Sequence, residues 1–162
     1  MKNVNAVKVV TISAGGMVSS VAAWLFARMG ILLYVLLILA VAMIIDYFTG
    51  MGASKIEAID HPDDPAYGWN SKKGAKGIFK KVGYLCIIAA AMMVDYVILH
   101  VAADIGIEVN LKAFFGIMIT VWYLLNEILS IIENAGRMGA PVPDGLKKYI
   151  AVLKDKIEQK VE

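Results

Sequence analysis

A chain of 162 residues with 59% hydrophobic content and a mean hydropathy of +0.68 lies well above the roughly 45–50% apolar share of soluble domains. The excess is gathered in uncharged blocks separated by charged stretches, the pattern of helices crossing a bilayer, which excludes an ordinary soluble enzyme. A net charge of +2 identifies no partner by itself, and the length leaves room for one small helical unit without a second soluble domain.

The first uncharged block covers residues 9–27 and is rich in Gly, Ser and Ala; Arg28 ends it. The N-terminus lacks the basic start, short apolar run and small-residue cleavage site of a secretory signal. Thr11, Gly15, Ser19, Ala23 and Ala27 recur every fourth residue, so they share one helix face. A small face lets two backbones approach closely in lipid, where packing rather than water drives association. It serves either assembly with other copies or packing within the chain.

The second block, residues 29–48, is strongly apolar and meets Asp46 near its end. A polar stretch from 50 to 81 follows, with Pro62, Pro65 and the lysines Lys55, Lys72, Lys73, Lys76, Lys80 and Lys81. The third block, residues 82–103, is interrupted by Asp95 and His100 and as a helix measures about 33 Å at about 1.5 Å per residue. That matches a hydrocarbon core of roughly 30 Å. A short loop to residue 112 leads into the fourth block, residues 113–133, which carries Asn126 and Glu127. Spanning segments here must be helical, because open sheet edges cannot be satisfied in lipid.

These blocks predict an all-α integral membrane protein. It has three to four transmembrane helices over residues 1–135 and a cytoplasmic tail over 136–162. Lysine and arginine set the orientation. The long loop and the tail, with Arg137, Lys147, Lys148, Lys154, Lys156 and Lys160, are expected inside, and the short loop with only Lys112 outside. In the tail, Leu146, Ile150, Leu153 and Ile157 form one stripe of an amphipathic helix opened by Pro143 and Asp144. Such a helix lies on an anionic inner leaflet, pairs with a copy of itself, or stays solvated. The lysines of 72–81, with Phe79 among them, read as an orientation signal rather than a nucleic-acid patch.

Asp46, Asp95 and Glu127 lie in or beside apolar blocks, where an ionised group costs on the order of 2.5–3.5 kcal/mol even on lenient scales. Asp46 reaches the interface, whereas Asp95 sits about 20 Å from the inner end of its helix, at a depth where Thr120 offers a hydrogen bond. The acids either line a water-filled opening or bind helices to one another. Asp46 and Asp95 fall at different depths, which argues against an aspartyl-protease dyad. His61, His100 and the single Cys86 have no matching nucleophile, disulfide or ligand set. No catalytic residue, cofactor or metal is expected.

The segments Met43-Ile-Ile-Asp46-Tyr-Phe-Thr-Gly50 and Asn70-Ser71-Lys72-Lys73-Gly74-Ala75-Lys76-Gly77-Ile78-Phe79-Lys80-Lys81 resemble the toxin-secretion and phage-lysis holin family. So does the run Tyr123-Leu-Leu-Asn126-Glu127-Ile-Leu-Ser130-Ile-Ile-Glu133-Asn134, closed by Gly139-Ala-Pro141-Val-Pro143. The resemblance covers roughly residues 40–155. It implies a multi-pass protein of the bacterial cytoplasmic membrane. Such proteins self-associate and open lesions through which a cell-wall hydrolase, or a toxin, leaves the cytoplasm. Asp46, Asp95, Asn126, Glu127 and Glu133 match family positions and stand, with Gly15, Ser19 and Ala23, as candidate pore or assembly residues. A small four-helix transporter or ion channel using Glu127 or Asp95 is the alternative, and a membrane-anchored scaffold acting through the tail is a third reading.

Overall fold

The computed structural model describes residues 16–159 apart from 18, 22, 25, 26, 28, 65, 66 and 110–112. The chain divides into two compact units, Met1–Tyr34 and Val35–Glu162. In the first, the described residues of 16–29 are helical, and Ser20 Oγ donates to Gly16 O at 2.9 Å. Ser19, Ala23 and Ala27 are exposed there. Thr11 and Gly15 lie outside the described residues, as does most of the first half of that block.

Four helices follow in chain order: α1 (Ile31–Asp60), α2 (Ser71–Asp104), α3 (Phe114–Arg137) and α4 (Asp144–Glu158). The described residues contain no strand. α1, α2 and α3 are long and apolar enough to cross a bilayer. Their surfaces are inverted relative to a soluble protein, whose charged groups are almost never buried without partners. Leu37, Ile38, Val41 and Ile44 on α1 and Leu85, Val94, Val97 and Val101 on α2 are exposed, while Asp95, Thr120, Glu127 and Asn134 are buried. Apolar side chains satisfy lipid, and polar ones can be satisfied only by one another. The apolar centre is a cluster of Leu39, Met43, Tyr84, Ile88 and Tyr123, in which the Tyr84 and Tyr123 rings stack at 3.9 Å between centroids.

The polar stretch expected between residues 50 and 81 is mostly helix. α1 runs about three turns beyond residue 48 to Asp60, and α2 begins about three turns before the apolar block, at Ser71. Asn70 starts α2, its Oδ1 accepting from Lys73 N at 2.9 Å. The 34 residues of α2 extend about 51 Å at about 1.5 Å per residue, so part of the helix projects beyond a core of roughly 30 Å. The extension of α1 is held by packing rather than by lipid: Ala53 is fully buried and Ser54 nearly so.

α3 ends at a left-handed Gly139 (φ 90°), with Ala140 N donating to Ala135 O at 3.0 Å. This geometry satisfies the last carbonyls and reverses the chain. α4 then packs back against α3, burying Ile150 and placing Lys154 Nζ 4.6 Å from the centre of the Trp122 ring. The apolar stripe expected of this helix is divided: Ile150 is covered, whereas Leu146 and Leu153 stay exposed beside Tyr149.

Candidate functional site

α3 supplies a polar seam. Its buried residues Gly116, Thr120, Tyr123, Glu127 and Asn134 recur at spacings of four, three, four and seven, which keeps them on one helix face turned inward. At the lysine-rich end, that face meets Asp46 of α1 and Lys81 of α2. Lys81 Nζ pairs with Asp46 Oδ2 at 2.9 Å and also with Glu127 Oε2. Glu127 is 2% exposed, Lys81 15% and Asp46 17%. Asn134 Nδ2 donates to Asp46 Oδ1 at 3.1 Å and to Thr49 Oγ1 at 3.3 Å. One ammonium thus faces two carboxylates, and the side chains of three helices are tied together through it. Beyond the cluster, Arg137 and Glu57 form a two-pronged pair, Nε and Nη2 each 2.7 Å from a carboxylate oxygen, and Arg137 Nη1 donates to Asn134 Oδ1.

At the other end, Asp95 of α2 accepts from Phe115 N at 2.9 Å and from Gly116 N at 2.7 Å. The first N–H groups of a helix have no partner within it, and the N-terminal end of the helix dipole is positive. Asp95 therefore caps α3 from a neighbouring helix, which accounts for a carboxylate 7% exposed in an apolar segment. Thr120 is not its partner: the Thr120 hydroxyl donates to Gly116 O of its own helix at 2.6 Å. The reason is register. α3 begins only at Phe114, so at the depth of Asp95 it presents its end rather than its side.

Of the candidate residues, Asp46 and Glu127 come together, and Asp95 sits at the opposite end of the seam. Asn126 is half-buried and Glu133 exposed, and neither hydrogen-bonds to the cluster. Sequence reasoning missed Lys81 as the central cation, Asn134 and Thr49 as its surroundings, and the Glu57–Arg137 pair. A depth count carries the signal: Asp46 closes the apolar part of α1, Lys81 opens that of α2, and Glu127 lies toward the same end of α3. Among the described residues, no three His, Cys, Asp or Glu side chains gather to hold a metal ion. Next to the cluster lies a cavity of about 220 Å³ reached by Tyr47, Ser54, Trp69, Lys73 and Ser130.

Apolar outer surfaces, a polar inner seam and three helices of spanning length define a multi-pass helical membrane protein. The chain belongs to the bacteriophage holin family, whose model matches residues 20–155. It is 37% identical over 141 residues to an uncharacterized protein of Halalkalibacterium halodurans, covering 87% of this chain and 91% of that one. A Listeria monocytogenes protein is 32% identical over 80% of this chain and 76% of its own length. An uncharacterized 14.9 kDa Clostridium perfringens protein in the nagH 3′ region is 30% identical, covering 82% of this chain and 84% of the relative. No solved structure matches the chain significantly.

Proposed function

We propose that the protein self-assembles in the bacterial cytoplasmic membrane and opens lesions that let a folded cytoplasmic protein, a cell-wall hydrolase or a toxin, reach the outside. Its role is that of a passage rather than a catalyst. Membership of the holin family over residues 20–155 carries this reading, and the Asp46–Lys81–Glu127 cluster supplies a physical route. In a single copy these charges are enclosed by helices with lipid-compatible exteriors. In an assembly the same seam, turned toward water, regains hydration for two carboxylates that share one cation, which lowers the cost of opening. Small faces such as Ser19 and Ala23 favour close contact between copies. The lysines of 72–81 and the basic tail orient the long loop and the C-terminus toward the cytoplasm.

The test is inducible expression in a bacterium carrying a cytoplasmic fluorescent protein and a cell-wall hydrolase without an export signal. Growth stops after a delay, the membrane potential collapses, and both folded proteins leave the cytoplasm. Leakage of ions or dyes with both proteins retained overturns the reading in favour of a small channel or transporter, whose site admits one solute at a time.

A further inference from the structure

The connection between α2 and α3 is anchored at two different depths. At its start, Ile107 N donates to Ala102 O at 2.8 Å, beside the end of the apolar block of α2. At its finish, Phe115 N and Gly116 N donate to Asp95. Ala102 and Asp95 belong to one helix and lie seven residues apart, about 10 Å at about 1.5 Å per residue. Lys81 and Asp104 bracket the apolar block of α2, whose length of about 33 Å is already that of a hydrocarbon core of roughly 30 Å. The start of α3 therefore lies roughly 10 Å inside the core rather than at its surface.

Lipid at that depth leaves a single chain no backbone form but helix. Ile107, Glu108, Val109 and Ala113 are not helical, and among the described residues Glu108 and Val109 form no backbone hydrogen bond. Ile107, Glu108 and Val109 are also exposed, so the rest of the chain does not bury them. Irregular backbone at membrane depth is tolerated where protein buries it or where it lines a water-filled cavity. The sequence favours water. Ile107-Glu108-Val109-Asn110-Leu111-Lys112-Ala113 alternates apolar and polar residues, and two of the three polar ones carry charge. A protein cover has to answer each charge with a matched partner, whereas water satisfies both.

We propose that water enters the bundle from the side opposite the lysine-rich loop, in a recess beside the Asp95, Leu99 and Ala102 face of α2 and floored by Ala113 and Phe114. Below this floor, Phe114 to Glu127 spans about 20 Å at about 1.5 Å per residue, against roughly 30 Å for the full hydrocarbon core. An assembly that opens a passage then has only this shorter barrier to hydrate. The recess itself belongs to the single chain and does not depend on what the assembly releases.

The full-length chain with Cys86→Ala is placed in lipid nanodiscs, and single cysteines are treated with a small charged methanethiosulfonate. Glu108→Cys reports the surface, Ala113→Cys the floor, and Val97→Cys the exposed side of α2 at about the depth of Ala113. The reagent attacks the thiolate, which water supports and hydrocarbon suppresses. Ala113→Cys is expected to react within about tenfold of Glu108→Cys, and Val97→Cys about a hundredfold more slowly, because burial raises a thiol's pKa and leaves less thiolate. A nitroxide attached at Ala113→Cys is relaxed by a water-soluble nickel chelate, and one at Val97→Cys by oxygen. Ala113→Cys reacting as slowly as Val97→Cys overturns the recess. Reaction at Ala113→Cys that stops when two chains share a nanodisc overturns water in favour of a second copy as the cover.

Discussion

Lys81 divides its single positive charge between Asp46 and a Glu127 that is almost wholly enclosed. Removing the lysine strands two acids, whereas removing one acid still leaves a matched pair. Lys81→Met is therefore expected to lower stability by about 3–5 kcal/mol, the range for breaking a buried pair. Adding Glu127→Gln to that variant restores part of the loss, because one stranded charge is gone. Equilibrium unfolding in mixed detergent micelles reads both changes, and a double variant no more stable than the single one speaks against the shared cation. Asp95 gives a second prediction. Asn at this position keeps one acceptor oxygen but turns an amide donor toward the second N–H of α3. Asp95→Asn is expected to cost about 1–3 kcal/mol, and Asp95→Leu more, since both N–H groups are then left without an acceptor. Equal stability of the two variants in the same unfolding measurement removes the capping role.

Among the elements, α1 and the start of α2 approach closely at Gly74. A Cβ there meets Trp69 Cζ2 at 3.1 Å and Tyr47 Oη at 3.3 Å, whereas one at Gly77 meets nothing within 4 Å. Alanine in a helix interior gains about 1 kcal/mol over glycine. Gly77→Ala is expected to raise the melting temperature in detergent, and Gly74→Ala to lose that gain to overpacking or to lower it. Equal gains at both positions speak against a close approach at Gly74. α4 has a different attachment, through buried Ile150 and the contact of Lys154 with Trp122. Ile150→Asp is expected to free α4 without disturbing α1, α2 or α3. Trypsin then cuts at Lys147, Lys148 and Lys154 faster than in the parent, while the larger helical fragment survives. An unchanged cleavage rate means that the covered Ile150 contributes nothing to docking.

The orientation of the whole molecule rests on charge and is open to direct labelling. Gly68 and Gly106 have positive φ angles, 104° and 78°, so cysteines belong instead at exposed Asp63 and Glu108, with Cys86 replaced by alanine. An impermeant thiol reagent on intact cells is expected to reach Glu108→Cys alone. Labelling of Asp63→Cys in unlysed cells reverses the assigned orientation.

Apolar blocks long enough to span, punctuated by prolines and charges, sufficed to determine the class of protein and the approximate position of α1, α2 and α3, because lipid leaves the backbone no alternative to helix. The start of α4 was legible for a local reason, Pro143 and Asp144 preceding an amphipathic run. Asp46, Asp95 and Glu127 stood out because acids in apolar segments are costly, and each one does carry a tertiary contact. The contacts themselves were not legible. Lys81 is 35 residues from Asp46 and 46 from Glu127, and in sequence it is one lysine among several between residues 55 and 81. Residues 50–60 read as loop because their polarity ends the membrane signal, whereas in the structure they stay helical, with Ala53 and Ser54 buried and Glu57 paired with Arg137 of α3. Asp95 read as a partner of Thr120 because depth alone was counted. The start of α3 at Phe114 decided otherwise, placing two unpaired N–H groups where the carboxylate could take them.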